Sequence, residues 1–408
     1  MTSSRPKLRA KHPPPPALPP EAALLRNAGS YGPKRARPAR RIVQLLLGGV
    51  EKLLPAGGGR PVDWGRAGRV AVLRFDHLGD LLMSFPALAA LRKALPKARI
   101  ELFVGPWNEE LARLCPSVDA VRVVDVPWFR RPVGPCHPLG LLKLAWRLRH
   151  GRYDLGIELR GDLRQLLALR LAGVPQRLGH TLSHGKFLLT SSADWAPRHE
   201  VEQNLELLRQ GGLAGVPKPG LAAPSLAVPP KARAAARALL AKQRLKPGFL
   251  ALHPSAGGPS RLWPEEHWVE LLRGLPAGPG LALLGTGAER PRLEDLRRRS
   301  GRADVAVLAG DTSVAVLAGL LGLAGGLVGL NSGPGHLAGA VGTPVLSLFS
   351  GANDPARWGP RGPQVRVMTV PVPCSPCELA VCPFDNACMR FLSPAAVLPA
   401  ARALRKAR

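Results

Sequence analysis

Negative charge is scarce in this chain: 28 Asp and Glu face 57 Lys and Arg across 408 residues, a formal net charge of +29. Such a surface favours polyanionic partners, either nucleic acid or the anionic leaflet of a membrane. Six cysteines are far too few for a disulfide-built scaffold. Aromatic residues make up only 5% of the chain, and no stacking-aromatic pattern or nucleic-acid motif appears, which makes nucleic acid an unlikely partner. No apolar run reaches the roughly 18 residues of a spanning helix. Pro13–Pro16 stands where a secretory signal would place its apolar stretch, so a cytosolic location is expected. A GxxxxGK[ST] loop is also missing, which disfavours a P-loop ATPase.

What is present is enough to build large cores. The hydrophobic share is 46%, and the length suggests two domains. Residues 1–69 hold 14 Lys/Arg against three acids. With their Pro, Arg and Gly content, residues 1–68 read as a mostly disordered basic tail. Within that tail Arg40–Leu54 fits a short amphipathic helix lying on a membrane, but a helix packed on the protein body, or one that frays at Gly48-Gly49, is the favoured reading.

From Arg69 onward, β-branched and leucine-rich runs alternate with helical stretches. Val70–Phe75, Ile100–Val104, Val121–Val126 and Leu155–Leu159 form a first series. Phe249–His253, Leu281–Gly285, Val305–Ala309, Leu327–Leu330, Val345–Phe349 and Val365–Val370 form a second. The rhythm predicts βαβ units in two α/β halves, 69–222 and 223–408, joined by the Gly/Pro/Ala-rich stretch from Gly211 to Pro230. Ligands bind beyond the carboxyl ends of strands in such folds, so the cleft between the halves is the expected site.

Three strand-to-loop junctions carry chemistry. In Leu73–Asp80 (LRFDHLGD), Asp80 fits either a helix cap or a general base facing the cleft, and Asp76 and His77 compete with it for the second role. Leu252–Trp268 brings Ser255 and Arg261 after a strand, an anion-site pattern that an ordinary loop also satisfies. Asn331-Ser332-Gly333-Pro334-Gly335-His336 places small residues before a helix, where free N–H groups can meet a pyrophosphate. Glu289, after Leu281–Gly285, is a candidate acceptor for ribose hydroxyls. Cys374, Cys377, Cys382 and Cys388 are four thiols close enough in sequence to hold zinc or an iron–sulfur cluster as a structural clip, although Cys-x₅-Cys departs from common zinc spacing. Cys115 and Cys136 read as ordinary single thiols.

The blocks Leu73–Leu88, Tyr153–Leu163, Leu252–Trp268, Asn331–Ala338 and Asp354–Pro360, in this order, resemble glycosyltransferase family 9, the lipopolysaccharide heptosyltransferases. The resemblance implies a GT-B fold of two Rossmann-like domains, with acceptor on the first and donor on the second. It implies inverting transfer from ADP-L-glycero-D-manno-heptose to the lipopolysaccharide inner core, on lipid A at the inner face of the inner membrane. It makes Asp80 the catalytic base, Arg261 a donor-phosphate contact and Glu289 a ribose ligand, with Ser255, Asn331, Ser332, Gly333 and His336 around the donor. Family members often carry a cysteine-rich segment near 374–388, and the transfer requires no cofactor. Asn331 departs from the family's usual aspartate. That departure motivates two other readings, a family transferase using another nucleotide-sugar and a degenerate, non-catalytic protein on a membrane surface; the +29 charge and basic tail motivate a further one, a non-catalytic nucleic-acid-binding protein.

Overall fold

A computed structural model describes Leu18, Ala22, Ala23 and Arg26 together with residues 59–129, 138–181 and 185–406. The Arg40–Leu54 segment and Cys136 lie outside the described residues.

Two lobes repeat one topology. The first runs β1 (Arg69–Leu73), α1 (Leu78–Ala94), β2 (Arg99–Val104), α2 (Glu109–Arg113), β3 (Ala120–Val123), α3 (Pro138–Gly151), β4 (Leu155–Glu158), α4 (Leu163–Leu171), β5 (Gln176–Thr181), β6 (Ser191–Asp194) and α5 (Glu200–Gln210). The second runs α6 (Pro230–Lys242), β7 (Leu250–His253), α7 (Glu265–Gly274), β8 (Leu281–Gly285), α8 (Arg290–Ser300), β9 (Val305–Ala309), α9 (Val314–Leu323), β10 (Gly326–Leu330), α10 (Gly333–Ala340), β11 (Val345–Phe349), α11 (Pro355–Trp358), β12 (Val365–Thr369), α12 (Ala387–Arg390) and α13 (Pro394–Lys406). Residues 211–229 between them form no helix or strand.

The sheet orders are β3-β2-β1-β4-β5-β6 and β12-β11-β10-β7-β8-β9, with all strand pairs parallel. Both are doubly wound, and each changes direction between its first and fourth strands, β1/β4 and β7/β10. Their strands are near-continuous apolar runs because helices cover both faces. β1, β7, β9, β10 and β11 accordingly bury almost every residue.

The expected strands all form. Two more, β5 and β6, complete the first sheet. Their sequences, QRLGHT and SSAD, are largely polar, and β6 is an edge strand, so no apolar run marks them.

The basic tail is shorter than the 1–68 read from composition. Gly59 bridges Ser191, the Trp64 indole donates to the Gly211 carbonyl at 2.8 Å, and Val62 and Ala67 are buried in the first lobe. Ala22 is buried in the second lobe's core, with Leu18 packed against it. A few apolar side chains dock these segments despite the Pro- and Arg-rich surroundings.

The lobes meet directly. The Glu110 carboxylate, on α2, accepts the Val314 and Ala315 N–H groups at 2.9 and 2.8 Å and so caps the start of α9. Arg357 on α11 pairs with Glu200 on α5 at 2.9 Å, and a His199 ring nitrogen meets the Gly359 carbonyl at 2.8 Å.

Candidate active site

The direction changes bring four loops to one cleft, those after β1 and β4 from the first lobe and those after β7 and β10 from the second. The β1 loop carries Asp76, His77 and Asp80. Helix α1 starts at Leu78, so Asp80 sits inside the first turn, and its carboxylate reaches back to accept the His77 N–H at 3.2 Å. The capping role and exposure to the cleft therefore coexist, because only one carboxylate oxygen is engaged by that N–H.

Asp76 and Asp80 have different surroundings. Asp76 is buried and bound by two guanidinium groups, Arg74 at 3.2 Å and Arg160 in a short hydrogen bond. Burial pushes its carboxyl up, but Arg74 and Arg160 together hold it below the ordinary aspartate range. Asp80 keeps 18% of its side chain accessible, and Arg74 stands 3.9 Å from its carboxylate. Burial, then the negative charge of Asp76, push Asp80 up to about 6, with Glu200 adding to the rise and Arg74 opposing it. Among the three candidates of this turn, Asp80 is the carboxylate poised to take a proton near neutrality.

Arg74 organises the site from below. It is 2% exposed and faces Asp76, Asp80 and Glu200, with its Nη1 also donating to the Leu159 carbonyl at 3.1 Å. Glu200 in turn accepts Arg357, whose guanidinium lies over the Trp195 and Trp358 rings. A chain of alternating charges thus runs from the second lobe to Asp80. After β4, the buried Glu158 carboxylate accepts the backbone N–H groups of Arg160, Gly161 and Asp162 and shapes the turn that delivers Arg160 to Asp76.

From the second lobe, Ser332 precedes α10. Its hydroxyl does not cap the helix. It donates to the Leu330 carbonyl at 3.0 Å and shares a 2.9 Å hydrogen bond with His253 Nδ1. The helix start is left without a side-chain cap, as an anion-binding N-terminus requires. Burial lowers His253 to about 4, so this ring is neutral. His336 is lowered to about 4 by burial and then by His199, which makes it a neutral ring able to donate a hydrogen bond without carrying charge. Asn331 points its amide at Asn353 Oδ1 across 3.4 Å.

Glycine permits a close approach of the lobes at the cleft. A Cβ on Gly79 would lie 3.2 Å from the His336 ring, and one on Gly333 would lie 2.9 Å from the Leu78 side chain. The Gly79-Asp80 turn and the start of α10 therefore stand face to face.

Glu289, after β8, accepts the Thr286 N–H and hydroxyl at 2.8 Å each. Burial raises it, but hydrogen bonds from Ser255 and Thr286 leave its carboxyl below the ordinary range. Ser255 also meets Arg292 Nη1 at 3.3 Å. The cation brought to Ser255 is thus Arg292, at the start of α8, a position the sequence motifs did not single out. Arg261 ends the short turn Pro259–Arg261 and is half-buried.

The cysteines fall outside this cleft. Cys374, Cys377, Cys382 and Cys388 are free thiols lining a cavity of about 10 Å³ with Gly351, Ala352 and Val372. The Gly351 N–H donates to Cys388 Sγ at 3.1 Å. Among the described residues, no three His, Cys, Asp or Glu side chains are grouped to hold a metal ion. Three of the four thiols are buried within the second lobe's core.

Residues 141–388 match glycosyltransferase family 9 (heptosyltransferase). The chain is 28% identical over 332 residues to lipopolysaccharide heptosyltransferase 1 of Pseudomonas aeruginosa, covering 78% of this chain and 88% of that one. Its fold is that of the family 9 glycosyltransferase from Veillonella parvula, with a TM-score of 0.70 and 18% identity over 84% of this chain and 98% of the other. It is also that of the Escherichia coli ADP-heptose lipopolysaccharide heptosyltransferase II, with a TM-score of 0.67 and 21% identity over 83% and 98%. Two facing doubly wound lobes of this kind are the GT-B arrangement. With more than half its length matched, the chain belongs to glycosyltransferase family 9 and is a glycosyltransferase.

Proposed function

We propose that this transferase moves a heptose from ADP-L-glycero-D-manno-heptose to the lipopolysaccharide inner core with inversion, and that Asp80 is the general base. The observation that carries this reading is the apposition of the Asp80 turn and the uncapped start of α10 across the cleft. The donor class follows the names of the relatives.

In this arrangement the diphosphate lies at the start of α10, where N–H groups and the helix dipole favour negative charge. Arg292 and Ser255 add donors on the β7 side, and Glu289 stands where it can accept hydrogen bonds from ribose hydroxyls. An acceptor hydroxyl enters from the first lobe and hydrogen-bonds the Asp80 carboxylate. As its oxygen attacks the anomeric carbon from the face opposite ADP, the proton passes to Asp80. The bond to the diphosphate oxygen breaks, and the added negative charge stays on ADP at the helix start. Bringing both substrates between two lobes held by Glu110, Glu200 and His199 makes the attack effectively intramolecular.

Thermal stabilisation tests the donor. Saturation at about 100 times the dissociation constant adds about 2.7 kcal/mol to stability, enough to raise the melting temperature by several degrees. ADP-heptose is expected to give the largest rise. A larger rise with uridine- or guanosine-linked sugars and none with ADP-heptose would replace the donor assignment.

A further inference from the structure

We propose that the exposed face of α3 is a docking surface for an anionic lipid bilayer, which seats the cleft over its acceptor. The proposal rests on the reading of that acceptor as a lipid-anchored saccharide.

Helix α3 buries Leu144, Ala145 and Leu148 against the first sheet, with Phe75, Phe103 and Tyr153 in the same cluster. On the opposite side Leu139, Leu142 and Trp146 recur at spacings of three and four and so form one stripe. They are exposed by 75%, 55% and 57%, among the few large apolar side chains so exposed in the described residues. Lys143 and His150 lie beside this stripe, with Arg147 and Arg149 flanking it on either side, all exposed. No acidic residue occurs in the helix. An apolar stripe with an interfacial tryptophan and basic flanks is the pattern of a helix lying in the headgroup layer. Helix α4, packed on α3, adds exposed Leu171 beside Arg170.

Charge selects the occupant. A second copy would bring the same basic helix on a chain of net +29, and residues 1–58 carry eleven Lys/Arg against two acids. Both would be repelled by the flanks of the stripe. An anionic bilayer complements them, and each basic residue near its surface strengthens binding about fivefold. The helix also lies close to the chemistry. Gly140 at its start packs on Trp128, where a Cβ would stand 3.0 Å from the ring. Arg164 lies over Trp128, and Arg160 lies over Phe129 while pairing with Asp76.

The test is flotation of the full chain with vesicles of phosphatidylcholine alone or mixed equally with phosphatidylglycerol. The unmodified protein should bind the mixed vesicles and not the zwitterionic ones. Leu142→Glu with Trp146→Glu should weaken that binding about a hundredfold by removing two apolar contacts. Lys143→Gln with Arg147→Gln should weaken it about tenfold or more and flatten its salt dependence. Both variants should keep normal transfer to a short soluble acceptor. Undiminished vesicle binding by the glutamate variant would overturn the proposal. So would equal binding to zwitterionic vesicles, or a dimer that the glutamate variant splits without any lipid binding. Failure of transfer to the soluble acceptor by every protein, unmodified included, would instead overturn the functional reading and leave the vesicle result to judge the surface.

Discussion

Replacing Glu200 by glutamine should lower the pH at which activity is lost on the acid side. Asp80 is held at about 6 by burial and by Asp76, with Glu200 adding to the rise and Arg74 and Arg160 opposing it. His77 lies in the same turn, and the neutral His336 faces it from α10. Glu200 meets Arg74 Nη2 at 3.7 Å and Asp80 meets the same nitrogen at 3.9 Å. The two carboxylates are therefore within about 8 Å, where at an effective dielectric constant of about 20 their repulsion is about 2 kcal/mol. Removing it lowers the Asp80 carboxyl by about one and a half units, at 1.36 kcal/mol per unit. Arg357 and Arg74, freed of a counter-charge, act in the same direction. The base is active when ionised, so activity rises with pH through its titration. The acid limb of kcat/KM, which reports the free enzyme, should therefore move down from about 6 by more than one unit. Glutamine retains an acceptor for Arg357, so the contact between lobes should persist and the melting temperature should change little. An acid limb that stays in place in a folded, active variant would show that the titrating group is not Asp80, or that the charge chain does not reach it.

Three further outcomes follow from the same geometry. Arg292→Met should raise the donor KM by about ten- to a hundredfold, the value of a hydrogen-bonded charge, with kcat much less affected; an unchanged KM would remove Arg292 from the donor site. Asn331→Asp should preserve or raise activity with ADP-heptose, since Asn353 can turn its amide to donate to the new carboxylate. Weaker binding of the true donor would point to another sugar, and no change with any donor would show that Asn331 does not contact it. Asp80→Asn should leave donor affinity near normal, because the amide oxygen still accepts the His77 N–H.

Much of this architecture was legible because local pattern and tertiary position coincide. Buried parallel strands must be apolar throughout, so Val345–Phe349 and Leu281–Gly285 announced themselves, whereas the polar edge strand β6 did not. Asp80, Ser255 and Asn331 were visible as polar residues at strand ends. Arg74 was not, since an arginine buried to 2% beside a strand makes sense only once Asp76, Asp80 and Glu200 surround it. Glu200 and Arg357 come from different lobes, and no local spacing reports their pairing. Arg160 belonged to a recognisable block, but its role depends on the turn that Glu158 holds. The docked segment around Trp64 was hidden by the Gly- and Arg-rich composition on either side.

Transfer itself is the most direct measurement. Purified protein with ADP-heptose and a lipopolysaccharide acceptor lacking its heptoses should yield ADP and an acceptor heavier by one heptose, with inverted anomeric configuration in the product. Asp80→Asn should cut that turnover by about a hundredfold or more, as loss of a general base requires. Retained configuration, or near-normal turnover by the Asp80→Asn enzyme, would contradict the account.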